Sequence, residues 1–560
     1  MKRITYLLAV LFVFSIYGCE DFLDVKPETE FTNDNFWTSE SNLEAFSYGL
    51  YSAFKGYGNG GFFGGDHFFS VNNDDVIALD QRLELDFPTS VPATASGTNW
   101  TWGYIRKANV LIQEAAKAPV DESIQKRYVA MGRFFRALLY WDKVRRYGDV
   151  PFYDKPIDPA DEEALYKARD SRVFVVDKIL EDLNYAVENL SDDQTKVKVT
   201  KWTALALKSR VCLAAATTFK YHNESDADVN KLLNASVDAS NQLMNAHFSL
   251  HNNYSELFAS EDLTGNSEII LTKKYNENMR HSILSFIFHE PFFGFSHSAV
   301  KSFLMKDGKP IKYDGANHPG YQEWVFKFDD TIRTSMNSIK VDVGIARGRD
   351  NRMYQIIDTT RLVTLFSKGI PMFSPIKYAN YDIAENQPTQ GVQATTDAPI
   401  FRLGEVLLNY AEAKAELGTI TQDDLDKSIN LLRARAGVAP LSVNVGFSAD
   451  DRDPDVDPLM WEIRRERRIE LMLEPFRKWD LIRWRKGPYY DAEDAYYGVK
   501  VDPSVVFEPA IEVIKTDDGH LYAQKPEDRR TPWNDRKYLQ PIPQDQITLN
   551  PKLGQNPGWE

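Results

Sequence analysis

Apolar positions recur at helical spacing through much of the chain. Over 121–147, Tyr128, Met131, Phe135 and Leu138 fall three or four residues apart on one face. Gly148, Asp149 and Pro151 then end the run. The same pattern predicts helices over 99–117, 171–190, 200–219, 229–246, 400–418, 422–436 and 459–486, with Ser171 and Thr200 as N-caps and Gly418 and Gly437 as C-cap residues. Helices in neighbouring pairs, with Ala204, Ala206, Ala214, Ala215 and Ala216 permitting close approach, predict stacked hairpins of the tetratricopeptide type.

Between about 247 and 397 the helical period fails. Gly, Pro, Asn and aromatic residues surround short strand-like runs at Glu268–Leu271 and Arg361–Phe366. This reads as a long irregular insertion, and loops of that length usually carry function. The chain thus divides into 1–18, 19–98, 99–246, the insertion 247–397, 398–486 and a Pro-rich tail 487–560. No linker cuts 19–560 into independent domains. Residues 462–486 are densely charged. Ile463, Ile469, Leu471 and Leu473 predict one apolar face, Glu474 to Lys478 a surface ion pair, and Pro475 a kink.

The N-terminus changes the picture most. Lys2 and Arg3 precede an apolar run from Leu7 to Ile16, too short to span a bilayer but built like a secretory signal. Gly18 stands directly before Cys19, as in a bacterial lipoprotein box, so Cys19 is the expected lipidation site and residue one of the mature chain. Several acyl chains, at about 0.8 kcal/mol per buried CH₂, anchor stably. Cys212 then remains as the only thiol, in an apolar helical pattern.

The net charge of −15 argues against a nucleic-acid partner. Aromatic residues make up 13% of the chain, enough that some must either be buried or be presented for binding. Catalytic signatures are missing: there is no GxSxG, Walker A or HExxH. The GxGxxG match at Gly56–Gly61 follows a helix-like segment instead of a strand, so it reads as a loop. No cofactor is expected. Calcium is raised only by the carboxylates of Asp451, Asp453, Asp455 and Asp457 with Glu462; Val456 occupies the place where such a loop needs glycine, so a solvated acidic loop is the preferred reading.

Several motifs in order resemble one family. These are Cys19 with Phe22-Leu23-Asp24, Pro27 and Phe36-Trp37; Arg136-Ala137 to Tyr147-Gly148-Asp149-Val150-Pro151; Arg402 with Glu405 to Ala413; and Asn430 to Gly437. They continue with Glu466-Arg467 to Arg483-Trp484 and Tyr538 to Pro543 with Asn550-Pro551 and Gln555 to Gly558. Together they resemble the RagB/SusD family of outer-membrane nutrient-uptake lipoproteins. The resemblance implies a mainly α scaffold of about four tetratricopeptide-like helix pairs with a loop-rich ligand face. It implies no enzyme, a glycan ligand, and a SusC-like TonB-dependent transporter as partner at the outer membrane. Peptide capture, a surface glycosidase and a purely structural scaffold are the alternatives.

In the starch-binding member type of the family, an aromatic arc comes from the loop before the first helix and from the mid-chain insertion. Here those regions hold Asp74, Asp75, Arg82, Asn99, Trp100 and Trp102, then Phe292, Phe293, Phe295, Tyr321 and Trp324. Two residues apart at a helix start, Trp100 and Trp102 cannot share one core stripe, and Trp100 is the ring expected to be exposed. Tyr321 and Trp324, three apart, can share a helical face. The candidate ligand set is therefore Asp75, Arg82, Asn99, Trp100, Trp102, Phe293, Tyr321 and Trp324. Replacing Cys19→Ala is expected to abolish incorporation of labelled palmitate in cells making the protein; persistent labelling contradicts the lipoprotein reading.

Overall fold

The computed structural model describes residues 36–58, 65, 73–78, 87–283, 293–336, 338–341, 346–364, 369–380, 394–522 and 532–560. Cys19, Arg82 and Phe292 lie outside the described residues.

After a short α1 (Glu40–Tyr48), the helices are α2 (Gly103–Ala115), α3 (Glu122–Tyr147), α4 (Arg172–Asn189), α5 (Lys201–Tyr221) and α6 (Val229–Met244). Each of α2 to α5 packs on the next. This is the paired-helix, tetratricopeptide-like arrangement expected. The caps are local. Ser171 Oγ accepts from the Phe174 N–H at 3.2 Å, Thr200 and Thr203 form a capping box, and Gly148 ends α3 at φ 70°, which disfavours a side chain. After the insertion, α7 (Leu403–Glu416) returns to pack on α6 and α5. Then come α8 (Gln422–Asp426), α9 (Ile429–Arg435), α10 (Pro458–Glu470) and α11 (Arg477–Arg483). Among the described residues no helix is long and apolar enough to cross a membrane.

The insertion is more ordered than its sequence suggests. Strands β1 (Val76–Ala78), β3 (Phe293–Phe295), β4 (Ser338–Lys340), β5 (Ile357–Thr364) and β6 (Pro371–Pro375) form an antiparallel sheet in the order β1-β3-β6-β5-β4. β2 (Ile269–Lys273) pairs with β7 (Ala398–Arg402), and β8 (Tyr497–Lys500) pairs with β9 (His520–Tyr522). The helices pack around one apolar core; the sheet covers a second, which holds Phe295, Leu362 and Phe373.

Three predicted helices are divided. The 400–418 run is strand to Arg402 and helix from Leu403; 422–436 breaks at Lys427–Ser428; 459–486 breaks at 471–476, where Leu473 takes φ 63° and Pro475 follows. The largest correction concerns charge. The solvated face expected for 462–486 is buried. Ile463 and Leu471 belong to the helical core, while Ile469, Met472 and Leu473 belong to the sheet core. α10 therefore lies on the seam between the two, and its charges fill that seam. Glu474 does not pair with Lys478 at the surface; it bonds Arg402 at 2.6 Å and Lys377 at 2.8 Å.

The seam network extends from there. Arg402 also reaches Glu470 at 2.7 Å and Glu268 at 3.0 Å. Arg435 bonds the same two glutamates, and Arg352 bonds Asp350, Glu466 and Glu470. A second group joins Arg483 to Glu412 and Asp480. Burial alone would raise the Glu474 carboxyl, but Arg402 and Lys377 outweigh it and hold it at about 2. Glu412 is likewise held at about 2, by Arg483 and Arg467 against burial. Burial pulls the Lys377 ammonium down to about 8 despite Glu474.

A carboxylate whose pKa is lower when folded contributes stability that is complete above its unfolded value, here 4.5, and is lost as pH falls toward about 2. Urea unfolding midpoints should accordingly fall steeply below about pH 4.5. Glu474→Gln leaves Arg402 and Lys377 short of one counter-charge and should cost roughly 3–5 kcal/mol at neutral pH. The variant should also show a shallower acid slope. A variant as stable as the parent at pH 7 contradicts the role given to the seam.

Candidate functional site

The candidate site sits on the insertion. Residues 321–332 run beside the C-terminal segment 500–507: the Phe326 N–H donates to the Lys500 carbonyl, and the Asp502 N–H returns to Phe326. This rail carries Tyr321 and Trp324, both half-buried, with ring centroids 5.6 Å apart in an edge-to-face pair. The back of Trp324 is supported by Phe373 of β6 at 6.2 Å. The turn leading into the rail is fixed by His318, which donates from Nε2 to Asp307 at 3.0 Å and accepts the Gly320 N–H at Nδ1.

Arg349 lies against Trp324, its guanidinium 5.1 Å from the ring centroid. It is 1% exposed, and no carboxylate of the described residues pairs with it. Nη2 donates to the Val300 and Phe303 carbonyls at 2.8 and 2.7 Å, whereas Nε and Nη1 find no acceptor among the described residues. Burial lowers its pKa to about 10. A fixed positive charge thus stands behind the aromatic pair. Sequence reasoning missed it; only Gly348, at φ 72°, marks the turn that buries its neighbour.

On the rim, Glu323, Asp518 and His520 bring one ligand atom each within 4.8 Å of one another. The Lys500 ammonium already sits there, 3.0 Å from Glu323 and 3.7 Å from Asp518, and supplies the counter-charge. The acidic loop before α10 is not an open calcium loop. Asp451 pairs with Arg465, Asp453 with Lys486, and Asp457 caps the N–H groups of Leu459 and Met460.

The other candidates go elsewhere. Asp75 is fully buried and bonds Arg468 at 2.6 Å, while Asp74 bonds Arg477 at 2.7 Å; both tie the N-terminal segment to α10 and α11. Phe293 is buried in the sheet core. The order expected within the W-x-W pair is reversed. Trp100 is 4% exposed, packed edge-on against Tyr147 at 4.9 Å, because its residue enters the helical core before α2 begins. Trp102 is half-buried against Tyr153 and Tyr140. Asn99 is half-buried, its carbonyl accepting from Lys143 Nζ at 2.6 Å. Trp100 and Trp102 also meet, with ring centroids 5.3 Å apart, but Trp100 is buried; among the described candidates Tyr321 and Trp324 are the ring pair in which both members are half-exposed.

Comparison with known proteins places the chain. A SusD family model matches residues 371–559, and a second model, described as starch-binding and associating with the outer membrane, matches residues 21–213. A SusD-like protein of Formosa agariphila is 24% identical over 514 residues, covering 86% of this chain and 90% of the relative. A crystal structure titled as a SusD-like carbohydrate-binding protein of Bacteroides fragilis aligns with TM-score 0.69 at 22% identity, covering 92% of this chain and 99% of that one. Another solved structure, titled as a complex with a xylogluco-oligosaccharide, aligns with TM-score 0.59 at 19% identity over 91% of this chain and 98% of that one.

The two tryptophans should separate on truncation. Trp100→Ala opens the helical core and should cost about 3–5 kcal/mol. Trp324→Ala, half-buried at the rim, should cost well under half as much. Urea denaturation of both variants measures this; equal losses contradict the placement of Trp324 as a presented ring.

Proposed function

This chain is a SusD-like protein, and we propose that it is a non-catalytic receptor that captures oligosaccharide at the cell surface and delivers it to a SusC-like TonB-dependent transporter. In this reading Cys19 carries the lipid that anchors it to the outer membrane. The observation that carries the ligand class is the Tyr321–Trp324 pair, half-exposed and braced from behind by Phe373 and Arg349. A pyranose has an apolar C–H face and a rim of hydroxyls, and binding it takes an aromatic platform beside a few fixed polar groups. Glu323, Lys500 and Asp518 stand on that rim and can exchange hydrogen bonds with hydroxyls.

The outer-membrane and starch-binding description of the matching N-terminal model supports the reading. The oligosaccharide complex among the structural neighbours supports it as well. The platform is preorganised, because its rings are held by packing that exists without ligand, so little ordering cost falls on binding.

Calorimetry of the mature soluble chain against a panel of polysaccharide fragments, beginning with xylogluco-oligosaccharides, tests the proposal. At least one fragment should bind without release of reducing ends. The Tyr321→Ala/Trp324→Ala double variant, still folded by circular dichroism, should lose at least about tenfold in affinity, the scale of about 1.4 kcal/mol. Unchanged binding by that variant removes the site, and steady product release makes the protein an enzyme.

A further inference from the structure

A cavity of about 580 Å³ lies apart from the aromatic pair, between the C-terminal half of α3, α5, β7 and α11. That volume falls within the range of small-ligand sites, about 300–1,000 Å³. Although the protein is acidic overall, lysines and arginines far outnumber carboxylates along the described wall of this cavity.

Several of the guanidiniums are answered: Arg210 by Glu405 at 2.6 Å, Arg477 by Asp74 at 2.7 Å and Arg483 by Glu412 at 2.5 Å. Two lysines are different. The Lys143 side chain is buried, and its ammonium donates to the Asn99 carbonyl, with no carboxylate of the described residues at ion-pair distance. Lys55 is exposed at the edge of the cavity, and among the described residues its ammonium has neither a hydrogen bond nor an ion pair. The carboxylate that faces both is Asp142, and it is already bonded to Arg145 at 2.6 Å and Arg146 at 3.2 Å. Burial opposes ionisation of Asp142, but Arg146, Arg145, Lys143 and Lys55 together hold it well below the usual carboxylate range. Burial, together with Arg146 and Lys55, pulls Lys143 down to about 8 despite Asp142.

The positive wall is fixed in place. Trp479 carries the Arg145 guanidinium 4.2 Å from its ring centroid and that of Arg146 at 5.1 Å. Lys143 Nζ lies 5.9 Å from the Trp102 ring centroid, and Asn99, Thr101 and Tyr104 line the same cavity. The segment before α2, expected from sequence to serve the aromatic platform, therefore contributes to this cavity. A buried ammonium beside other cations is costly unless an anion joins it, and a charge-assisted hydrogen bond from a bound carboxylate or sulfate does so.

We propose that this cavity is a second binding site that receives the anionic group, carboxylate or sulfate ester, of an acidic saccharide against Lys55 and Lys143. The anion follows from the wall; the saccharide rests on the glycan-capture reading above. An acidic saccharide would be recognised by charge here and by its ring faces at Tyr321 and Trp324, so the two sites can be separated by mutation.

Calorimetry with trigalacturonate, with a sulfated galactan trimer and with a neutral xylogluco-oligosaccharide tests this. At least one acidic trimer should bind the parent protein, and which one does so identifies the anion. Its affinity should fall about tenfold in Lys55→Gln, the scale of one charge-assisted contact. It should fall again on raising sodium chloride from about 50 to about 500 mM. Lys143→Met, checked for folding by thermal melt, should lose the acidic trimer as well. Neutral-glycan binding should be unmoved by Lys55→Gln and lost in Trp324→Ala. Failure of both acidic trimers to bind, or binding of either that Lys55→Gln and salt leave unchanged, overturns the second site while neutral binding keeps the glycan reading intact. If no saccharide binds but a short polyglutamate peptide does so with the same Lys55 and salt dependence, the saccharide assignment and the glycan reading both fall.

Discussion

The fold depends on a chain of buried ion pairs between two apolar cores. The helical core and the sheet core meet along α10, and what joins them is Arg402, Arg435 and Arg352 interleaved with Glu268, Glu470 and Glu474. Each of these charges is costly to bury alone. Together they neutralise one another and satisfy fixed hydrogen bonds. Such a seam adds little net stability compared with well-packed hydrophobic residues, but it tolerates only one arrangement of its partners. β2, β7, α9 and α10 are brought into register by the same few side chains.

That constraint has consequences at a distance. Asp74 and Asp75 extend the seam to the N-terminal segment through Arg477 and Arg468, which places β1 at the edge of the sheet. The sheet in turn supplies Phe373, on which Trp324 rests. Among the described residues Arg349 is the exception in an interior where buried arginines generally meet carboxylates: its charge is left behind the aromatic pair, engaged by two backbone carbonyls and the indole face. Polar departures of this kind from a well-satisfied interior are where function concentrates.

The helical half of the fold was legible because α3, α4 and α5 carry local signals: periodic apolar residues, a Ser171 cap, a Thr200 capping box and a Gly148 stop. The family resemblance was legible from short motifs, and many of these are the seam itself, namely Arg402, Arg435, Glu466, Glu470 and Glu474. Their burial was not legible. A helix such as α10 has the same charge pattern whether its arginines meet water or, as Arg468 does, meet Asp75, which is nearly 400 residues away in the chain. The sheet was hidden for a similar reason, since β1 pairs with β3 across more than 200 residues and both strands are only three residues long. At the site, Tyr321 and Trp324 do meet, but on an extended segment and not on the helical face that their spacing predicted. Spacing failed for Trp100, whose burial is decided by Tyr147, and for Arg349 and Lys143, whose surroundings are entirely tertiary.

The most direct measurement of ligand capture on the insertion face is a crystal structure of the protein soaked with an oligosaccharide that it binds in solution. A pyranose ring lying across Tyr321 and Trp324, with hydroxyls toward Glu323 and Lys500, is the predicted result. Ordered saccharide bound elsewhere, with the Tyr321–Trp324 pair left facing solvent, would contradict it.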